Sequence, residues 1–203
     1  MKLATKSYFA TAVSLIFLAS VGCSNENRRS SNAPAENPGA ADRNAAADRA
    51  PATAPANLSA TDRDFAMKAA QGGMAEVEMG NLAQQHGMSL AVKDLGKKLV
   101  DDHTKANNEL RDIAAREGIT LPTEMGSKQR KSIDRLSKLS GAEFDREFLK
   151  EAVRDHKEDI SEFQKEIDKG TDPALKNLAS NYLSILQDHL NMAQNAQGST
   201  SKR

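Results

Sequence analysis

The sequence predicts an all-α protein whose folded part is a bundle of four long helices, with a long connection between the second and third. Three observations support this prediction. Apolar residues recur at the three- and four-residue spacing of amphipathic helices over most of residues 61–196. The composition is rich in Ala, Leu, Lys and Glu, and it contains no Trp and only two Tyr. Glycines and a proline divide the periodic region into four long segments.

The first two helices are predicted to form an antiparallel hairpin. Thr61 or Asp62 is the expected N-cap of the first helix, which ends before Gly87. Ser89 is the expected N-cap of the second helix, which ends before Gly118. The apolar side chains expected to face the core are Phe65, Ala69, Met79 and Ala83 on the first helix, and Val92, Leu95, Leu99, Ala106, Leu110 and Ile113 on the second.

Residues 118–140 are predicted to form a crossover between two hairpins. Pro122 and Gly126 interrupt the helical pattern there, and a short helix is expected at 127–139. Short, long and short connections in that order are typical of ferritin-like bundles, whereas simple up-down-up-down bundles have short loops throughout. The predicted fold class is therefore an all-α, ferritin-like four-helix bundle with a long crossover between helices 2 and 3.

The second hairpin is predicted from residue 142 onward. Its first helix spans 142–169 and ends at Gly170, and Pro173 lies in the first turn of the next helix. The folded domain is thus expected at 61–197, followed by a disordered tail at 198–203. The apolar side chains expected to face the core are Phe148, Ala152, Ile160, Phe163 and Ile167, then Leu175, Leu178, Tyr182, Leu186 and Ala193.

The two hairpins carry a trace of internal duplication. The sequence DRDF at residues 62–65 opens the first helix, and DREF at 145–148 opens the third long helix. Aligning the two phenylalanines places Glu76 opposite Asp159. A doubled helical hairpin is consistent with the predicted fold.

Residues 1–22 are predicted to be a signal peptide. Two lysines precede an apolar stretch at 8–18, which is too short to span a membrane. Small residues then lead to Cys23, the single cysteine of the chain. This arrangement resembles a lipobox, although Ser20 stands where such motifs usually carry Leu. Cleavage by ordinary signal peptidase is the alternative, because Ser20 and Gly22 also satisfy its preference for small residues.

Residues 23–60 are predicted to form a lipidated cysteine and a disordered tether. Acylation of Cys23 would attach the protein to a membrane by more than one acyl chain. Ser24 follows it, and by resemblance to sorting signals the outer membrane is the expected destination. The tether has almost no large apolar side chain, so it cannot offset the entropy cost of ordering. We expect an exported lipoprotein anchored to the outer membrane; a soluble periplasmic protein is the alternative.

One ionisable residue interrupts the apolar seam of each long helix. These residues are Glu76, His103, His156 and His189, all near the middle of their helices. Burying an unpaired carboxylate is costly, and a shared metal ion would remove that cost. Imidazole with carboxylate suits Zn, Fe or Cu, and Asp159 could add a ligand or accept a hydrogen bond from one. The Asp before each His is expected to point outward, because neighbouring helical positions diverge by about 100°. The alternative is a polar layer in which these side chains satisfy one another.

Several sequence segments resemble a large bacterial family. They are AEVEMGNLA at 75–83, LVDDHTKANNEL at 99–110, LSGAEFDREFLKEAVRDHK at 139–157, and the late Asp-His pair at 188–189. The family consists of exported ferritin-like domains of unknown function, often labelled outer-membrane proteins. The resemblance implies the fold and an envelope location, and it implies no activity.

A di-iron ferroxidase is not expected from this sequence. Di-iron bundles use Glu-x-x-His on two helices, whereas Val100 and Leu186 stand three residues before His103 and His189. No catalytic triad, phosphate loop or zinc-finger signature is present. Lys plus Arg and Asp plus Glu number 28 each, a balance that argues against nucleic-acid binding.

The sequence therefore predicts a non-enzymatic envelope protein that binds a metal ion or small ligand in its core, for metal handling or stress protection. A structural or interaction module without a cofactor is the alternative function, and a redox enzyme ranks third. Membrane contact is expected only through Cys23, and both a monomer and a homodimer fit the sequence.

Overall fold

The computed structural model describes residues 58–200. The predicted signal peptide, Cys23, most of the predicted tether and residues 201–203 lie outside this range. Within it the chain is all-helical, as predicted, and contains no strand. None of the helices in this range is long and apolar enough to cross a membrane. The helices are α1 (Ala60–His86), α2 (Leu90–Glu117), α3 (Ser127–Leu136), α4 (Gly141–Lys169) and α5 (Pro173–Thr200).

The start of α1 differs from the prediction, because Ser59 is the N-cap instead of Thr61 or Asp62. The Ser59 hydroxyl accepts the Asp62 amide at 3.1 Å, and the Asp62 carboxylate accepts the Ser59 amide at 2.6 Å. This reciprocal pair is a capping box. Leu58 packs against one part of the core. Leu58 and Ser59 therefore contact the bundle, although both belong to the segment predicted as a tether.

The helix ends also depart from the predicted boundaries. Helix α5 continues to Thr200, three residues beyond the predicted end of the bundle at residue 197. Helix α3 ends at Leu136, and a turn follows at 137–139. Helix α2 ends as predicted: Gly118 has φ 69°, a left-handed conformation that favours a residue without a Cβ atom.

The four long helices pack as two hairpins, joined by residues 118–140. Helix α1 packs mainly on α2 and α4 mainly on α5, across the short connections 87–89 and 170–172. Contacts of α2 with α5 and of α1 with α4 join the hairpins. Helix α3 lies against α1 and α4.

The apolar core is divided into two clusters. One cluster contains Phe144, Phe148 and their neighbours, near the 87–89 connection. The other contains Phe65 and Tyr182, near the 170–172 connection. On every long helix the polar residue identified above lies between the residues of the two clusters, so a polar layer crosses the middle of the bundle.

Asp62 ties the start of α1 to the connection between α4 and α5. Its carboxylate accepts the Thr171 amide at 2.7 Å, the Asp172 amide at 3.1 Å and the Thr171 hydroxyl at 2.6 Å. Burial raises the pKa of Asp62, but the hydrogen bonds it accepts outweigh burial and hold the pKa well below its usual value. The side chain is fully buried and ionised.

Asp145 forms the matching contact in the other half of the chain. It lies at the start of α4, and its carboxylate accepts the amides of Met88 and Ser89 at 2.8 and 2.9 Å. Asp62 and Asp145 open the duplicated DRDF and DREF sequences. Each hairpin therefore contributes one buried aspartate that hydrogen-bonds the connection of the other hairpin, which gives the sequence duplication a structural counterpart.

Candidate metal centre

The polar layer brings the four predicted side chains together. Glu76, His103, His156 and His189 are all buried. The three imidazole rings have centroids 5.2–5.8 Å apart. Each helix presents its residue here because the position belongs to the same face as the apolar seam above and below it.

Glu76 fixes the orientation of the first imidazole. Its Oε2 atom lies 2.9 Å from Nδ1 of His103, so that Nδ1 donates to the carboxylate. The other ring nitrogen, Nε2 of His103, is buried and has no hydrogen-bond partner within residues 58–200. In the neutral ring this nitrogen carries a lone pair.

A backbone carbonyl fixes the second imidazole. Nδ1 of His156 donates to the carbonyl oxygen of Ala152 at 2.9 Å, one helical turn earlier. Its Nε2 atom then faces inward, 3.2 Å from Nδ1 of His189 and 3.4 Å from Oε1 of Glu76.

A second carboxylate fixes the third imidazole. Nε2 of His189 donates to Oδ2 of Asp102 at 2.9 Å. Asp102 also pairs with Lys98 at 3.0 Å, and its side chain is 26% exposed. Because Nε2 carries the proton in the neutral ring, Nδ1 of His189 is left as an acceptor facing His156.

The three imidazoles bring ring nitrogens close together. One ring nitrogen from each of His103, His156 and His189 lies within 4.8 Å of the others; we call this group the three-His cluster. Two nitrogens bound tetrahedrally to Zn²⁺ at about 2.0–2.1 Å are separated by about 3.3 Å. The 3.2 Å between His156 and His189 is close to that separation.

The histidines at this contact are held neutral. Burial lowers the pKa of His156, and burial together with the neighbouring imidazoles lowers the pKa of His189 to about 4. With both rings neutral, the facing nitrogens are both acceptors and repel each other. A cation between them would remove the repulsion, because neutral imidazole is the metal-binding form.

Glu76 and Asp159 form a carboxyl pair beside the cluster. Burial raises the pKa of Glu76, but His103 and His156 outweigh it and lower the value to about 2. Burial and the charge of Glu76 raise the pKa of Asp159 well above its usual range. The pair therefore binds a proton at Asp159 more tightly than at Glu76. It lines a small cavity of about 20 Å³ that also reaches His103.

The placement of the predicted residues differs in detail from the expectation. Glu76 and Asp159 lie outside the group of three nitrogens. One oxygen of Glu76 accepts Nδ1 of His103, and the other lies 3.4 Å from Nε2 of His156. The outward orientation predicted for the aspartates is correct for Asp188, which is exposed, and wrong for Asp102 and for half-buried Asp155. Helix α2 packs against both α1 and α5, so adjacent positions can face two different helices.

The remaining histidine is separate from the layer. Nδ1 of His86 lies 2.9 Å from the carbonyl oxygen of Leu139, and its ring stacks on Phe144. His86 is the last residue of α1, and it joins this helix to the end of the crossover.

A family model described as a domain of unknown function, DUF4142, matches residues 47–196. The chain belongs to the DUF4142 family. This agrees with the resemblance to a family of unknown function. A comparison with curated proteins finds no match. The DUF4142 domain is similar to the crystal structure of a DUF305 fragment from Deinococcus radiodurans, with a TM-score of 0.62 and 13% identity over 70% of this chain and 98% of that chain. At this identity the similarity supports the helical fold alone.

Proposed function

We propose that this domain binds one divalent transition-metal ion through the three-His cluster. Three imidazole nitrogens suit Zn, Cu or Fe, and the absence of sulfur from the cluster disfavours Cu(I). Three protein ligands leave a position for water or a further oxygen ligand. Glu76 and Asp102 would act on the metal indirectly, by accepting the second N–H of a ligand histidine.

One observation carries this proposal. Each imidazole of the cluster has one nitrogen occupied by a hydrogen-bond acceptor, namely Glu76, the Ala152 carbonyl or Asp102. The remaining nitrogens of His156 and His189 face each other at 3.2 Å, and the remaining nitrogen of His103 is buried without a hydrogen-bond partner among the described residues. Metal-bound histidines in proteins are held in this way.

The competing function is a purely structural polar layer. It is favoured by the Glu76–His103 pair at 2.9 Å and by the 3.2 Å contact between His156 and His189. For that contact to be a hydrogen bond, one of the two rings must carry a proton on both of its nitrogens. The lowered pKa of both histidines opposes this. A purely structural layer also leaves Nε2 of His103 without a hydrogen-bond partner among the described residues.

Metal titration of the full chain, purified without a polyhistidine tag, separates the two functions. We expect one equivalent of Zn²⁺ or Co²⁺ to bind, with the visible spectrum of a tetrahedral Co²⁺ site, and to raise the melting temperature. His103→Ala and His189→Ala should abolish both effects. His86→Ala is the matched control, because His86 is the histidine outside the cluster. Metal-independent stability together with no stoichiometric binding would leave the layer as a structural feature.

We further propose that the protein is a non-enzymatic, ferritin-like lipoprotein of the cell envelope, attached to the outer membrane through Cys23. The lipobox-like sequence and the apolar segment at 8–18 support this location. The two hairpins and the long crossover support the fold. Metabolic labelling with a fatty acid, compared between the wild type and Cys23→Ser, tests the anchor.

A further inference from the structure

A second cavity lies beneath α3 and leads toward the three-His cluster. It has a volume of about 40 Å³, and its walls come from α1, α3 and α4. Gly72, Glu76 and Asp159 line both this cavity and the one that reaches His103. The carboxyl pair therefore separates two cavities, one under the crossover helix and one beside the cluster.

Charged side chains line the outer part of this cavity, namely the carboxylates of Asp155 and Glu158 together with Arg154, which pairs with Asp155 at 2.8 Å. Asp155 is half-buried, and Glu158 lies at the mouth with 53% of its side chain exposed. Lys128 of α3 pairs with Glu158 at 2.6 Å and is 57% exposed. An exposed pair of this kind is weak, so it can open without disturbing the fold.

One position on the α1 wall of the cavity is a glycine. Gly72 has no side chain, and a Cβ atom there would lie 3.6 Å from Oδ1 of Asp159. Glu76 lines the cavity, and its buried Oε1 receives no hydrogen bond from a donor among the described residues. This oxygen lies 3.4 Å from Nε2 of His156, so a cation that reached it would be beside the three-His cluster.

The roof of the cavity is held in place by a buried carboxylate. Glu151 of α4 accepts the Ser132 hydroxyl at 3.0 Å and pairs with Arg135, and both of these partners belong to α3. Arg154 of α4 pairs with the same carboxylate. These contacts fix α3 over the cavity, so that an ion could pass beneath it while the helix remains docked.

We propose that this cavity is the access route by which a divalent cation reaches the three-His cluster. The ion would contact Glu158, then Asp155, and then the Glu76–Asp159 pair. His156 and His189 are fully buried, so a bound ion needs such a passage. Carboxylate oxygens attract a hydrated cation and replace its water in steps. This inference rests on the proposed metal binding and adds the path to it.

Charge changes at the mouth test the route through association rates. Stopped-flow mixing of the full chain with Zn²⁺ at low ionic strength, read by a chromogenic indicator, measures them. We expect Glu158→Lys to slow association about 3- to 10-fold and Lys128→Glu to accelerate it, with the double variant near the wild type. Asp112→Lys, an exposed position on α2 with the same charge change, is the control and should alter the rate by less than about twofold.

Gly72 supplies a test by size instead of charge. Gly72→Ala should be tolerated, since its Cβ would make an ordinary contact. Gly72→Val should obstruct the passage and slow association and dissociation by the same factor, leaving the equilibrium affinity unchanged.

The outcomes distinguish the route from the site. If the wild type binds no Zn²⁺, the proposed function is overturned, and the route with it. If Zn²⁺ binds but Glu158→Lys, Lys128→Glu and Gly72→Val leave both rates at the wild-type value, the route is wrong and the three-His site stands. The route is supported if Glu158→Lys and Gly72→Val bind and release Zn²⁺ more slowly than the wild type, with an unchanged affinity.

Discussion

Glu166 makes the stability of the domain depend on pH. This α4 side chain is fully buried and lies beside the ionised Asp62, and no donor group within residues 58–200 reaches its carboxyl oxygens. Burial, and then Asp62, raise its pKa from 4.5 to about 7. The folded protein therefore binds a proton at Glu166 more tightly than the unfolded chain does.

The sign and size of the effect follow from this difference. The stabilising contribution of protonated Glu166 is fully present below pH 4.5 and is lost as the pH rises to about 7. At about 1.4 kcal/mol per pKa unit, the shift corresponds to at most about 3 kcal/mol. Solvent near this end of the bundle screens the charges, so we expect about 1–2 kcal/mol.

Glu166→Gln should remove this dependence. The amide has nearly the same shape, stays neutral, and can donate a hydrogen bond to Asp62. We expect the variant to be about 1–2 kcal/mol more stable than the wild type at pH 8 and nearly equal to it at pH 4.5. Urea unfolding followed by circular dichroism, with chelator present and at a series of pH values, measures the difference. Glu78→Gln, at an exposed position of α1, is the control.

The reasoning is refuted if the free-energy difference between Glu166→Gln and the wild type is the same at pH 4.5 and pH 8. The duplicated sequence agrees with the burial of this position. The alignment that pairs Phe65 with Phe148 pairs Glu166 with Ala83, a fully buried apolar residue. The corresponding position in the other hairpin thus packs without a carboxyl group.

Three further predictions concern other contacts. Asp102→Ala removes the acceptor that orients His189, and it should weaken Zn²⁺ affinity about 10- to 100-fold in competition titrations; unchanged affinity would exclude His189 as an oriented ligand. Asp145→Ala leaves two backbone amides without their partner and should cost about 1–3 kcal/mol in urea unfolding, an effect absent if water replaces the carboxylate fully. Gly118→Ala places a Cβ atom at φ 69° and should cost about 1 kcal/mol, whereas an unchanged midpoint would show that the turn relaxes.

Much of the fold was predictable because the helical pattern is strong. The positions of Glu76, His103, His156 and His189 within apolar seams were enough to place them in one layer, since a helix carries every seam residue to the same face. The all-α class was predicted from the spacing of apolar residues, and the crossover was predicted from the positions of the glycines and a proline.

Other features depend on contacts between helices, which periodicity does not specify. Asp102 was expected to face solvent, yet it faces α5 and accepts a hydrogen bond from His189. Ser59 precedes the periodic region, and its role as a cap depends on the side chain of Asp62. The duplicated tetrapeptides were visible in the sequence, but only the packing shows that their aspartates contact the opposite hairpin.

The reciprocal aspartate contacts have a consequence for how such a chain could arise. Two copies of a single hairpin could each supply an aspartate to the connection of the other, so a half-length ancestor could have assembled as a symmetric pair. Fusion through residues 118–140 would then free the halves to diverge. Glu76 and Asp159 occupy equivalent positions, whereas His103 and His189 do not, since Leu186 and Ala106 are their counterparts. The histidine cluster would therefore be a property that only the fused, asymmetric chain could acquire.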